Sequence, residues 1–83
     1  MEDLLKAITI LKNFTIDYDQ VSKLHQAAKI SWDNDVKPTD ILMAIDLIEE
    51  NDDESNDLAG EHIEQAIEDL EKILKGRKFQ QSK

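Results

Sequence analysis

Thr39–Glu50, TDILMAIDLIEE, is the segment that decides the fold. Between Ile41 and Ile48 the only polar residue is Asp46. At 3.6 residues per turn this run is apolar almost all the way round, so a helix here needs cover on more than one side. The rest of the chain is therefore expected to supply helices that pack around it.

Two short amphipathic helices are predicted before this segment. Apolar residues recur at helical spacing over residues 4–14, which indicates the first helix. Asp17 and Gln20 form a capping pair, so the second helix is expected to begin near Tyr18 and to end before Asp33. Its inward face is predicted to contain Val21, Leu24, Ala28 and either Ser31 or Trp32, with Trp32 favoured as a core residue.

The third and fourth helices follow. Pro38 suits the first turn of a helix, so the third helix is predicted over Pro38–Glu50. The polar segment Asn51–Asn56 is expected to be a break, with the fourth helix beginning between Ser55 and Glu61 and capped by Gly76. Its apolar ridge steps by four and three residues through Ala59, Ile63, Ala66, Leu70 and Ile73.

These patterns predict an all-α fold, either a small four-helix bundle or a four-helix orthogonal array. A single helical domain is expected over residues 1–76, followed by a disordered basic tail at 77–83. The chain contains no cysteine, which excludes disulfides and thiolate metal sites. Its first residues, MEDLLKAITILKNF, do not resemble a secretory signal, so a cytoplasmic protein without a membrane segment is expected.

Charge is distributed very unevenly along the chain. The net charge is −9, yet residues 1–32 are neutral overall. Residues 33–71 contain fifteen acidic residues against one lysine, and residues 72–83 contain five bases and no acid. The acidic middle repels nucleic acid and anionic membrane and attracts basic surfaces.

Carboxylates form a second stripe on the fourth helix, opposite its apolar ridge. The simpler interpretation of this stripe is a solvated outer face. The more specific interpretation is a docking surface for a basic protein. Like charges at this spacing repel, and a partner that neutralises them would remove that cost. The candidate partner-binding residues are Asp46, Glu50, Asp53, Asp57, Glu61, Glu64, Glu68 and Glu71.

The favoured functional hypothesis is a small acidic module that occupies a basic surface of another protein and inhibits or neutralises it. Bacteriocin immunity proteins, antitoxins and phage inhibitors share this size and charge, which is an analogy of class only. The basic surface could belong to an enzyme that binds nucleic acid. The acidic module would then act as a DNA mimic toward that enzyme and would not bind nucleic acid itself. The alternative is a structural or regulatory helical module that forms a homodimer.

A calcium loop is the strongest metal hypothesis, and it fails at two structural positions. Starting a twelve-residue loop at Asp53 places Leu58 where a glycine is required and Gly60 where an apolar residue is expected. The oxygen ligands of that loop would be Asp53, Ser55, Asp57, Glu61 and Glu64. A solvated acidic segment is therefore favoured, and no metal or other cofactor is expected.

Catalytic chemistry has little support in the sequence. Ser22 and His25 lie three residues apart without an orienting acid from a separate element, and His62 stands alone among carboxylates. Gly60 and Gly76 cannot form a phosphate-binding loop. The chain is accordingly not expected to be an enzyme.

Overall fold

The computed structural model describes residues 2–81, with side chains described at 4–17 and 19–76. It contains four α-helices and, within the described residues, no strand. The helices are α1 (Glu2–Lys12), α2 (Val21–Asp33), α3 (Thr39–Glu49) and α4 (Asp53–Gln81), and a 3₁₀ turn at Tyr18–Gln20 precedes α2. The predicted all-α fold is confirmed, in the form of a four-helix bundle.

Neighbouring helices pack around one core. The closely packed pairs are α1 with α2, α2 with α3, α3 with α4, and α4 with α1. The α1–α2 pair and the α3–α4 pair therefore lie on opposite sides of the bundle. The largest fully buried apolar side chains come from three helices, and they are Leu4, Leu11, Leu24, Ile41 and Ile48. The fourth helix contributes the predicted ridge residues Ala59, Ile63, Ala66 and Leu70, with Ile73 half-buried beside them.

The apolar segment is covered on two sides by α2 and α4. Ile41, Ala44, Ile45 and Ile48 are buried. Leu42 and Met43 remain exposed at 41% and 45%. A helix of this composition was expected to be covered more completely, so α3 presents apolar surface that its own chain does not bury.

Both ends of α3 and the end of α2 are fixed by backbone geometry. Asp35 (φ 61°) and Asn51 (φ 57°) adopt the left-handed conformation just after α2 and α3, respectively. The amide of Val36 donates to the carbonyl oxygen of Ser31 at 2.9 Å, which closes a Schellman motif after α2. At the start of α3, the carbonyl oxygen of Pro38 accepts the amide of Leu42 at 3.0 Å.

The predicted polar break between α3 and α4 is mostly helical, and the prediction was wrong there. α4 begins at Asp53 because Asp52 caps it: Asp52 Oδ1 accepts the amide of Ser55 at 2.8 Å. The hydroxyl of Ser55 donates to Asp52 Oδ2 at 3.2 Å, and Ser55 is buried. Asp53 and Glu54 in the first turn are favoured by the helix dipole.

The predicted C-terminal cap at Gly76 is also wrong, because α4 continues to Gln81. No glycine has the positive φ that such a cap requires. The backbone of α4 is therefore helical on both sides of residue 76. Residues 82–83 of the predicted tail lie outside the described range.

Two predictions for α2 need correction. The turn at Tyr18–Gln20 is a 3₁₀ helix, and Asp17 Oδ1 accepts the amide of Asp19 at 3.1 Å instead of capping α2. Ser31 is the buried member of the Ser31 and Trp32 alternatives, and Trp32 is 55% exposed. The small serine fits this position because its hydroxyl donates to the carbonyl oxygen of Ala27 at 3.1 Å.

Candidate protein-binding surface

The outer face of α4 contains the predicted acidic stripe. Asp57, Glu61, Glu64 and Glu68 are exposed and Glu71 is half-buried. The stripe lies opposite the buried ridge, since the two sets are offset by about half a helical turn. From residue 57 to residue 71 it extends over about 21 Å at 1.5 Å per residue. We call these five residues the α4 acidic face.

Two members of the α4 acidic face are paired within the molecule. Glu71 Oε2 lies 2.9 Å from Lys12 Nζ on α1, and Glu68 Oε1 lies 3.5 Å from Lys72 Nζ one turn along α4. Asp57, Glu61 and Glu64 form no ion pair with any side chain that the structure describes. The stripe is thus partly neutralised at its C-terminal end and uncompensated over its N-terminal half.

The remaining predicted residues lie near the N-terminal half of α4. Asp46 is exposed on α3, Glu50 is exposed just after its end, and Asp53 is exposed in the first turn of α4. The connection between the two helices spans only residues 50–52, so α3 and α4 form an antiparallel hairpin. The eight predicted positions therefore fall on one side of the bundle rather than on separate surfaces.

An apolar strip along the α3–α4 hairpin was missed by sequence reasoning. Asp40, Met43 and Leu47 share one edge of α3, while Leu58 and His62 share one edge of α4. The contact between Asp40 and His62 joins these two edges. Met43 is 45% and Leu58 is 44% exposed, and Leu47 is half-buried. The signal was present in the sequence, because α3 has more apolar positions than one face of a helix can bury.

His62 contacts Asp40 across the α3–α4 hairpin. Its Nδ1 lies 3.1 Å from Asp40 Oδ1, and the two side chains are 28% and 25% exposed. His25 is exposed on α2. Within the described residues, no group of three or more histidine, aspartate or glutamate side chains is arranged to hold a metal ion.

The geometry of the calcium hypothesis is overturned by α4. The five proposed ligands, from Asp53 to Glu64, lie on one continuous helix instead of a loop. A calcium loop needs a sharp turn that folds successive ligands around the ion. A straight helix of this length instead spreads its first and last members over about 16 Å.

Enclosed space is scarce in the part of the molecule that the structure describes. A pocket beneath the α2–α3 connection, lined in part by Ser31, Val36, Pro38 and Leu70, has a volume of about 30 Å³. Small-molecule sites typically enclose roughly 300–1,000 Å³. Binding by this pocket is thus limited to water-sized groups.

The sequence matches no protein-family model, no curated protein and no solved structure. None of the helices between residues 2 and 81 combines the length and apolar character that crossing a membrane requires.

Proposed function

We propose that this chain is a protein-binding module that places the α4 acidic face, and the adjoining acidic residues of α3, against a basic surface of a partner. Binding there inhibits or neutralises the partner by occluding that surface. A nucleic-acid-binding protein is the partner class with the matching chemistry, since its functional surface is basic and linear.

One observation carries this proposal: Asp57, Glu61 and Glu64 are exposed, aligned and unpaired among the described side chains. Like charges at i,i+3 and i,i+4 each cost a few tenths of a kcal/mol in an isolated helix. A basic partner removes this repulsion on binding, and long-range attraction also accelerates the encounter.

The test compares capture by the purified chain with capture by Glu61→Lys/Glu64→Lys from lysate of the source cells. The matched control is Asp19→Lys/Asp33→Lys, because both aspartates are exposed and lie on the other half of the molecule. We expect the wild-type chain and the control to retain the same basic protein and the stripe variant to lose it. The retained protein, once purified, should associate more slowly as salt rises.

Two results oppose the proposal. Retention that is unchanged by Glu61→Lys/Glu64→Lys would remove the α4 acidic face from the contact. A purified partner that still binds its nucleic acid fully when saturated with this chain would remove the inhibitory role, while leaving the binding module intact.

A structural or regulatory module that self-associates is the second candidate function. It is favoured by five large apolar side chains that are at least 41% exposed, namely Leu5, Trp32, Leu42, Met43 and Leu58. Exposed apolar patches are typical of interfaces, and tryptophan is enriched among the residues that contribute most to binding there. Sedimentation over a wide range of concentration tests this candidate, and a monomer throughout would reject it.

A further inference from the structure

A mixed apolar and basic groove follows the outer side of α1 and α2. Leu5, Ile10 and Ile30 supply its apolar surface, and Lys6 and Lys29 line it. Lys23 borders its continuation past Ile10 toward the other end of α2. The groove is shallow and open, with a volume of about 650 Å³. We call it the α1–α2 groove.

Three lysines at the α1–α2 groove have no ion-pair partner among the described side chains. They are Lys6, Lys23 and Lys29, all of them exposed, and Asp33 is the one acidic residue of the described lining. Lys12 and Lys72, by contrast, are already paired with glutamates of α4. A protein with a net charge of −9 thus keeps a locally basic face on one side.

The opposite side of the bundle is the complement of this groove. The α3–α4 hairpin exposes Met43 and Leu58, with Leu47 half-buried between the two helices. Exposed carboxylates of the hairpin flank this apolar strip, and they are Asp46, Glu50, Glu54 and Glu61. The hairpin surface is apolar with an acidic border, and the groove surface is apolar with a basic border. The two surfaces are therefore complementary in charge.

We propose that a second copy of this chain occupies the α1–α2 groove through its α3–α4 hairpin, so that copies associate head to tail. The two surfaces lie on opposite sides of one bundle, because α1–α2 and α3–α4 are the opposing helix pairs. The contact is then heterologous, and each bound copy leaves one free face of each kind. Short linear chains form, and their length grows with concentration.

Net charge limits this association and sets its salt dependence. Two copies at −9 each repel over long range, and that repulsion is screened beyond a Debye length of about 10 Å at 0.1 M salt. The lysine–carboxylate pairs act at contact distance and persist to higher salt. Association should therefore be strongest at intermediate salt, with weakening both at very low salt and near 1 M.

This inference does not depend on the proposed partner contact, although Asp46, Glu50 and Glu61 belong to both surfaces; it gives a geometry to the second candidate function. A basic partner on the acidic side would compete with the second copy. The α1–α2 groove takes no part in the proposed partner contact, so its variants separate the two ideas: they affect self-association and leave partner capture unchanged.

Sedimentation equilibrium of the purified full chain at 0.1 M salt tests the proposal. We expect the average mass of the wild-type chain to rise above 9.5 kDa with concentration. Lys6→Glu/Lys29→Glu and Asp46→Lys/Glu61→Lys should each remain monomeric at concentrations where the wild type associates. Lys37→Glu/Lys75→Glu is the control for charge, because both lysines are exposed and lie outside the α1–α2 groove lining. Helical content by circular dichroism verifies that each variant is folded.

Mixing the two non-associating variants gives the decisive result. The lysine variant keeps an intact acidic hairpin, and the acidic variant keeps an intact groove. An equimolar mixture should associate, because each intact surface meets its intact complement on the other variant, and the two reversed surfaces also have opposite charges. A wild-type chain that stays monomeric at millimolar concentration would overturn the proposal, and so would a mixture that remains monomeric while the wild type associates.

Discussion

His62 Nδ1 lies 3.1 Å from Asp40 Oδ1 and thereby joins α4 to the first turn of α3. A double-mutant cycle with His62→Gln and Asp40→Asn should give a coupling free energy of about 0.5–1 kcal/mol, because the contact is three-quarters buried. Urea unfolding of the wild type, the two single variants and the double variant measures this coupling, and a value of zero would mean that the contact contributes no stability.

Trp32 is the only tryptophan of the chain and is 55% exposed, which makes a direct prediction for fluorescence and stability. Its emission should be that of a hydrated indole and should be quenched readily by acrylamide. Trp32→Ala should cost less than about 1 kcal/mol of unfolding free energy. Leu24→Ala is the comparison, since Leu24 is fully buried and its loss should cost about 2–5 kcal/mol. A blue-shifted emission that resists quenching would show that Trp32 is covered.

The comparison of Ser31 with Trp32 shows what periodicity can and cannot predict. Helical spacing correctly selected the ridge of α4 and the buried face of α1, because one apolar row must face the core in any bundle. Near the end of α2 both residues lie close to the core-facing row, and their spacing alone does not decide between them. The choice depends on how closely α3 approaches, which is a tertiary property.

The start of α4 and the α1–α2 groove were not predicted from the sequence, and the reason differs from the one that applies to Ser31 and Trp32. Asp52 and Ser55 form the capping contact of α4, yet both stand in a segment so polar that composition indicated a break. The candidate acidic positions share one side of the bundle because they lie on two consecutive helices and the short connection between them. The complementary α1–α2 groove was missed, since it combines side chains that come together only when those helices pack.

Asp52→Ala should destabilise the protein by about 1 kcal/mol, because the first turn of α4 loses its N-cap acceptor. Ser55→Ala should cost less, since it removes only the longer 3.2 Å hydrogen bond and leaves the amide bonded to Asp52. Thermal unfolding followed by circular dichroism measures both effects. Asp53→Ala serves as the control for charge in the same turn, and an equal loss in that variant would assign the effect to the helix dipole rather than to the cap.

Gly60 is packed more tightly than Gly76. The close contact at Gly60 should reduce the stability that alanine gains there. A Cβ atom at Gly60 would lie 3.3 Å from Ile16 Cδ1, whereas no atom of the described side chains lies within 4 Å of one at Gly76. Alanine in a helix interior is favoured over glycine by about 0.5–1 kcal/mol. We expect Gly60→Ala to gain less than this in the wild type and the full amount in an Ile16→Val background, which removes the Cδ1 methyl. Equal gains in both backgrounds, measured by denaturant unfolding, would show that the Ile16 methyl moves without cost.

Glu64 tests whether the α4 acidic face is retained against a cost in stability. It stands three residues after Glu61 and four before Glu68, so Glu64→Gln removes two like-charge neighbours. At a few tenths of a kcal/mol per pair, the variant should be more stable by about 0.4–1 kcal/mol at low salt. The gain should shrink as salt screens the repulsion in the wild type.

Glu54→Gln is the matched control for this substitution, because it makes the same chemical change in the first turn of α4, where a negative charge is favourable. That variant should be neutral or slightly destabilised, with a weaker dependence on salt. Urea unfolding at 20 mM and 500 mM salt gives both comparisons. If Glu64→Gln lowers the stability, its carboxylate stabilises the folded chain, and the outer face of α4 no longer requires a basic partner to explain its charge.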